Sequence, residues 1–219
     1  MESYLLWGYF HIILFVFWLG GDIGVFLSAI YAKKSDLSFE TRATIMQLGL
    51  VIDFLPRLCF ALIFPVGLHL TNDLGLLKIN PPYFFLAWFI SFSWILIIIL
   101  IGKNEGKPIA ENLSKIQFWM EGLLGTFLIF VGIMSYSNEF LERWFSLKII
   151  LFGLVFYAAM AIDICFRPFI KPFMEIGTEG STPEREAAVS LAINKTLIAV
   201  FTLYVLIALI AFLGKVKPL

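Results

Sequence analysis

Charge is scarce in this chain. Only 15% of its 219 residues are Asp, Glu, Lys or Arg, and the two signs cancel to a net charge of zero. A soluble domain of this length carries about 25% charged residues. No basic run stands out, so nucleic acid is not an expected partner. Cysteine is nearly absent: Cys59 and Cys165 lie inside apolar stretches and form no CxxC pair, which excludes a disulfide framework or a cysteine-based metal site. No HExxH, Gly-rich phosphate loop or Ser-His-Asp arrangement occurs. The N-terminus lacks a basic leader region and reads as a retained first span.

Apolar residues take the place of what is missing. They make up 60% of the chain, and the mean hydropathy is +0.92. They fall in stretches long enough to cross a hydrocarbon core about 30 Å thick, which needs about 20 helical residues. We place spans at 4–32, 44–71, 82–102, 116–135, 147–170 and 187–213. Polar or turn-rich breaks separate them, among them Lys33-Lys34-Ser35-Asp36, Asn80-Pro81-Pro82 and Gly177 to Arg185. The alternation expected of a membrane β-barrel is missing. The expectation is an all-α polytopic bundle of about six transmembrane helices, a single domain over 1–219, with the lipid bilayer as its main partner.

The loops are too short to fold alone, so chemistry must lie within the helices or at their ends. Lys33, Lys34, Arg42, Lys103, Lys107, Lys115, Lys171 and Arg185 fall on one side. Lys78, Arg143, Lys148, Lys215 and Lys217 fall on the other. This bias predicts both termini outside the cytoplasm, in a multi-pass protein expected in the inner (cytoplasmic) membrane. Trp7, Tyr83, Tyr136 and Trp144 sit where aromatic belts form. Trp18 and Trp94 are deeper and call for another explanation.

An ionisable group at the centre of a span costs about 2.5–3.5 kcal/mol on insertion scales, so each is a functional candidate. The candidates are His11, Asp22, Asp53, Arg57, His69, Glu121, Asp163, Arg167 and Lys195. His11 and His69, the only histidines, both map to the outer half of the membrane; the others form a middle-to-inner charged network. On the first span Trp18 and Asp22 lie within about 20° of His11 on a helical wheel. Gly8 and Gly21 flank that stripe, while Gly20 and Gly24 are expected toward the opposite face. Asp53 and Arg57, like Asp163 and Arg167, have the i,i+4 spacing of an ion pair.

Neutral imidazole binds iron, copper and zinc. His11 and His69 on adjacent spans can therefore hold a haem b or a copper ion, relay protons, or hydrogen-bond a neighbouring helix. Arg57, Arg167 and Lys195 suit haem propionates or an anionic substrate. The charged network reads first as a structural ion network holding helices together and, after the propionate or substrate reading, as a proton or ion path.

The segment from His11 to Trp18, Gly20 and Gly21 resembles the first helix of several bacterial membrane families. These are the copper-resistance D type proteins, the membrane protoporphyrinogen oxidases that contain haem, and the membrane anchor of the membrane-bound urate oxidases. The run WLGGDIGVF, with Asp53-x-x-Pro56-Arg57 and Phe64-Pro65-Val66-Gly67, also resembles a set of predicted integral membrane proteins of no assigned function. The resemblance implies that His11 is a haem or metal ligand and that Trp18 and Gly20 line its site. The sequence shows no fused cytochrome c domain, and its architecture is longer than that of the protoporphyrinogen oxidases. Neither enzyme activity is implied. The leading expectation is a membrane haem protein with an electron-transfer or oxidoreductase role, cofactor-binding through His11, His69, Trp18, Gly20, Arg57 and Arg167, and a redox partner. The alternatives are a copper or small-solute transporter built on Asp53 and Arg57, and a non-catalytic subunit of a larger membrane complex.

Overall fold

The computed structural model describes residues 2–218. They form six helices: α1 (Ser3–Ala32), α2 (Phe39–Asp73), α3 (Pro81–Lys103), α4 (Pro108–Ser137), α5 (Arg143–Glu179) and α6 (Pro183–Val216). No strand occurs among the described residues. All six helices are long and apolar enough to cross a bilayer. The polytopic all-α expectation is met.

The helices outrun the apolar stretches. α4 begins at Pro108 and α5 continues to Glu179. In lipid a helix satisfies its own backbone, and nothing obliges it to stop where the apolar run ends. Beyond the apolar run of α5, Phe173 and Ile176 still pack with Phe169 against Val189, Ala192 and Ile193 of α6. The helix starts and stops have local causes. Pro81 opens α3 and Pro183 opens α6, where a missing N–H costs nothing. The Thr182 side chain accepts from the Arg185 N–H and caps α6. Gly180 ends α5 at φ 93°, a backbone conformation that favours glycine.

The chain that reads as one domain packs as two compact units. One comprises the residues up to Gly24 together with Val51–Trp119. The other comprises Val25–Leu50 and the residues from Met120 onward.

In the first unit α1 and α2 run antiparallel, and each step along one is matched on the other. Gly8 meets Leu70, His11 meets Gly67, Gly21 meets Pro56 and Gly24 meets Ile52. Gly24 therefore faces α2, not the opposite side expected from an ideal wheel. Gly24 is one turn of about 3.6 residues from Gly21, which keeps the two on one face. Only Gly20 looks elsewhere: a Cβ there would meet nothing within 4 Å.

In the second unit α4 and α5 approach closely at glycines. A Cβ at Gly153 would stand 2.8 Å from the Gly125 carbonyl oxygen, and one at Gly132 would stand 2.5 Å from Ile150 Cγ1. Small residues permit such backbone approach in membranes. A buried ion pair fixes the far end of this unit. Arg42 is 1% exposed, and its Nη1 and Nη2 donate to both carboxylate oxygens of Glu186 at 2.9 and 3.0 Å. Its Nε donates to the Ala32 carbonyl at 2.7 Å, which ties the end of α1 to α6. Ser181 Oγ donates to the same carboxylate. The sequence shows Arg42 only as one more loop cation.

Candidate functional site

The α1 stripe predicted to be polar and aromatic faces α2 throughout the first unit. Near the start of α1 and the end of α2 lies His69, whose surroundings are dense. Its ring is stacked between Trp7 and Phe84, with centroids 4.2 Å away on each side. The Trp88 indole N–H donates to His69 Nε2 at 3.0 Å. With Nε2 accepting, the imidazole proton resides on Nδ1 in the neutral ring. A metal at Nε2 needs the same lone pair. As arranged, His69 does not fit an axial haem ligand: its Nε2 is committed and both its faces are covered.

His11 lies on the same α1–α2 seam. Its Cε1 and Nδ1 edge packs toward Gly67, within 3.3 and 3.6 Å of where a Cβ would stand. Glycine at 67 is what makes room for the ring. Trp7, which touches His69, and His11 are four residues apart, about one turn of α1. The structure thus brings the two histidines to one seam, one turn apart, and turns neither to the outside of the helix pair.

Below them Trp18 stacks on Phe60 at 4.7 Å, and Phe60 meets Trp94 edge-on at 5.0 Å. All three are buried. This cluster explains the two deep tryptophans: they join α1, α2 and α3. Such pairs contribute about 0.5–1.5 kcal/mol beyond their buried area. Trp18 is therefore core, and a Cβ at Gly20 would meet nothing within 4 Å.

Next along the seam comes the charged group. Arg57 Nε donates to Asp53 Oδ2 at 2.5 Å, the i,i+4 pair expected from the spacing. Asp22 of α1 lies within reach of the charges of both Asp53 and Arg57. Gly21 is what lets α1 come this close: a Cβ there would stand 2.7 Å from Pro56 Cγ. Pro56 sits between the paired residues and has no N–H for the Ile52 carbonyl, one turn back. That leaves the Ile52 carbonyl, in the residue before Asp53, without its helical donor. The Asp53 side chain is 17% exposed and that of Arg57 42% exposed.

The remaining network residues lie in the second unit. Glu121 is 4% exposed on α4; Asp163 is half-buried on α5; Arg167 of α5 and Lys195 of α6 are exposed. Sequence reasoning grouped them with Asp22, Asp53 and Arg57 by depth alone. Among the described residues no cluster of three or more His, Cys, Asp or Glu side chains has metal-binding geometry. Cys59 and Cys165 are free, and Cys59 is buried.

Sequence reasoning missed Trp88, Trp7 and Phe84 as partners of His69. Trp7 read as a belt residue, and the other two carried no signal beyond aromatic content. No family model, curated protein or solved structure matches this chain.

Proposed function

We propose that this chain is a membrane carrier for a small cation, the proton included, with Asp22, Asp53 and Arg57 as its binding site. The supporting observation is the charge balance of that group. Arg57 pairs with Asp53, and Asp22 lies within the influence of both charges, in the membrane-spanning parts of α1 and α2. With both carboxylates ionised, the group keeps one negative charge in a region where uncompensated charge is expensive. A proton or small cation neutralises it. Pro56 leaves the Ile52 carbonyl, one turn back, without its helical N–H donor, and carbonyls released from helix hydrogen bonds are what membrane carriers use to coordinate cations. We place the carrier in the inner (cytoplasmic) membrane, and the Lys and Arg bias of the loops supports both termini outside the cytoplasm.

The test uses purified protein in liposomes loaded with a pH-sensitive dye. Under an imposed inside-negative potential, the wild type acidifies the lumen faster than protein-free liposomes do. Asp22→Asn and Asp53→Asn each fall to the protein-free rate. Equal flux in wild type and both variants contradicts the proposal.

A second reading rests on the histidines. His11 and His69 share one seam a turn apart, and the first-helix resemblance points to haem b or copper at His11 in an electron-transfer role. His11 would be the ligand, and a metal at His69 would have to displace Trp88. Purified protein made with ample haem shows a Soret band lost in His11→Ala if this reading holds. Colourless protein free of iron and copper counts against it.

A further inference from the structure

We infer that the end of the second unit formed by the start of α5 and the end of α6 holds the phosphate of an anionic phospholipid. Three cations gather there. Lys148, in the second turn of α5, reaches across to α6, and its Nζ rests 2.8 Å from where a Cβ of Gly214 would stand. Glycine at 214 gives the ammonium its place. Lys217 turns back at the αL cap of α6, φ 51° and ψ 57°, and sets its ammonium 5.1 Å over the Trp144 ring. Lys215 lies in the last turn of α6. Trp144 and Lys148 are one turn apart on α5, as are Gly214 and Lys217 on α6, so the ammonium groups flank one seam.

Among the described residues the nearby side-chain carboxylates have partners other than these lysines. Glu139 pairs with Arg143 at 3.2 Å, and Glu142 accepts from the Trp144 indole N–H. Among the described residues Lys148, Lys215 and Lys217 make no ion pair. Lys215 and Lys217 have an ordinary reason to be there, since cations suit a helix C-terminus. Lys148 does not. It stands near the N-terminal, positive end of α5 and beside like charges, an arrangement that costs energy unless an anion joins it. A headgroup phosphate at the membrane boundary, beside the indole of Trp144, supplies that anion. Lysines near a membrane surface attract anionic headgroups by about 1 kcal/mol each. The same chemistry would accept a soluble phosphate, which the experiment separates.

The full-length protein in mixed micelles of phosphatidylglycerol and phosphatidylcholine is analysed by native mass spectrometry. The wild type retains phosphatidylglycerol in preference. Lys148→Gln lowers that retention about fivefold or more, whereas Lys148→Arg and Lys103→Gln, a lysine of the other unit, retain it as the wild type does. Millimolar inorganic phosphate leaves the bound lipid in place. Equal retention by Lys148→Gln overturns the proposal. Loss of retention in Lys148→Arg overturns the charge argument, and displacement by inorganic phosphate reassigns the site to a soluble anion and overturns the lipid assignment.

Discussion

Gly20 and Gly21 are neighbours with opposite tolerances. A methyl at 21 would strike the ring of Pro56, which belongs to a helix and cannot swing aside. Gly21→Ala is expected to cost about 1–3 kcal/mol by overpacking. Gly20→Ala meets nothing within 4 Å, and alanine favours the helix, so it is neutral or slightly stabilising. Thermal unfolding in a mild detergent compares the two directly. Arg42 makes a second residue-scale case. Arg42→Met leaves the partly buried Glu186 carboxylate without its two charged hydrogen bonds, which is expected to cost about 3–5 kcal/mol. The double variant Arg42→Met/Glu186→Gln recovers part of the loss in the same unfolding measurement. If the double variant melts no higher than Arg42→Met, the pair is not the source of the effect.

What the sequence made legible at this scale follows one rule. The His11, Trp18 and Asp22 stripe and the Asp53–Arg57 pair depend on spacing within one helix, and 3.6 residues per turn sets both. Arg42 and Glu186 are 144 residues apart, and no local pattern announces their meeting. The ring that Trp88 presents to His69 likewise depends on how α3 docks on α2. His69 could be recognised as a special residue, but not as one already supplied with partners. That difference changes its reading from a ligand to the centre of an aromatic cluster.

At the scale of elements, spans could be counted but not measured. Apolar runs locate the six helices, while their ends are set by caps, prolines and packing outside the run. α2, at 35 residues, is about 50 Å long, well beyond the hydrocarbon thickness of about 30 Å. The close approach of α4 and α5 gives a test. Gly153→Val places atoms on the Gly125 carbonyl and on Ile129, and it is expected to lower the unfolding temperature sharply. Gly102→Ala, on α3 and with open space around it, leaves the temperature within error. Equal effects of the two substitutions contradict the packing described.

For the whole molecule, large apolar side chains cover much of the outside. Phe85, Leu123, Phe127, Ile198 and Phe201 are all exposed, a surface that water does not tolerate and acyl chains do. Against that exterior, the Asp22, Asp53 and Arg57 group is the exception on which the proposed function depends. Sequence depth placed those residues in the membrane together with Glu121, Asp163, Arg167 and Lys195. Their division between two units lay beyond what depth along a helix encodes.

The most direct measurement asks whether water and ions reach that group. Asp22→Cys, in a background with Cys59→Ser and Cys165→Ser, is treated in intact membranes with a cationic, membrane-impermeant methanethiosulfonate reagent. Modification several times faster than at the exposed apolar position Phe127→Cys is the predicted result. Modification no faster than at Phe127→Cys, with Asp22→Cys still folded and inserted, contradicts a polar site open to cations.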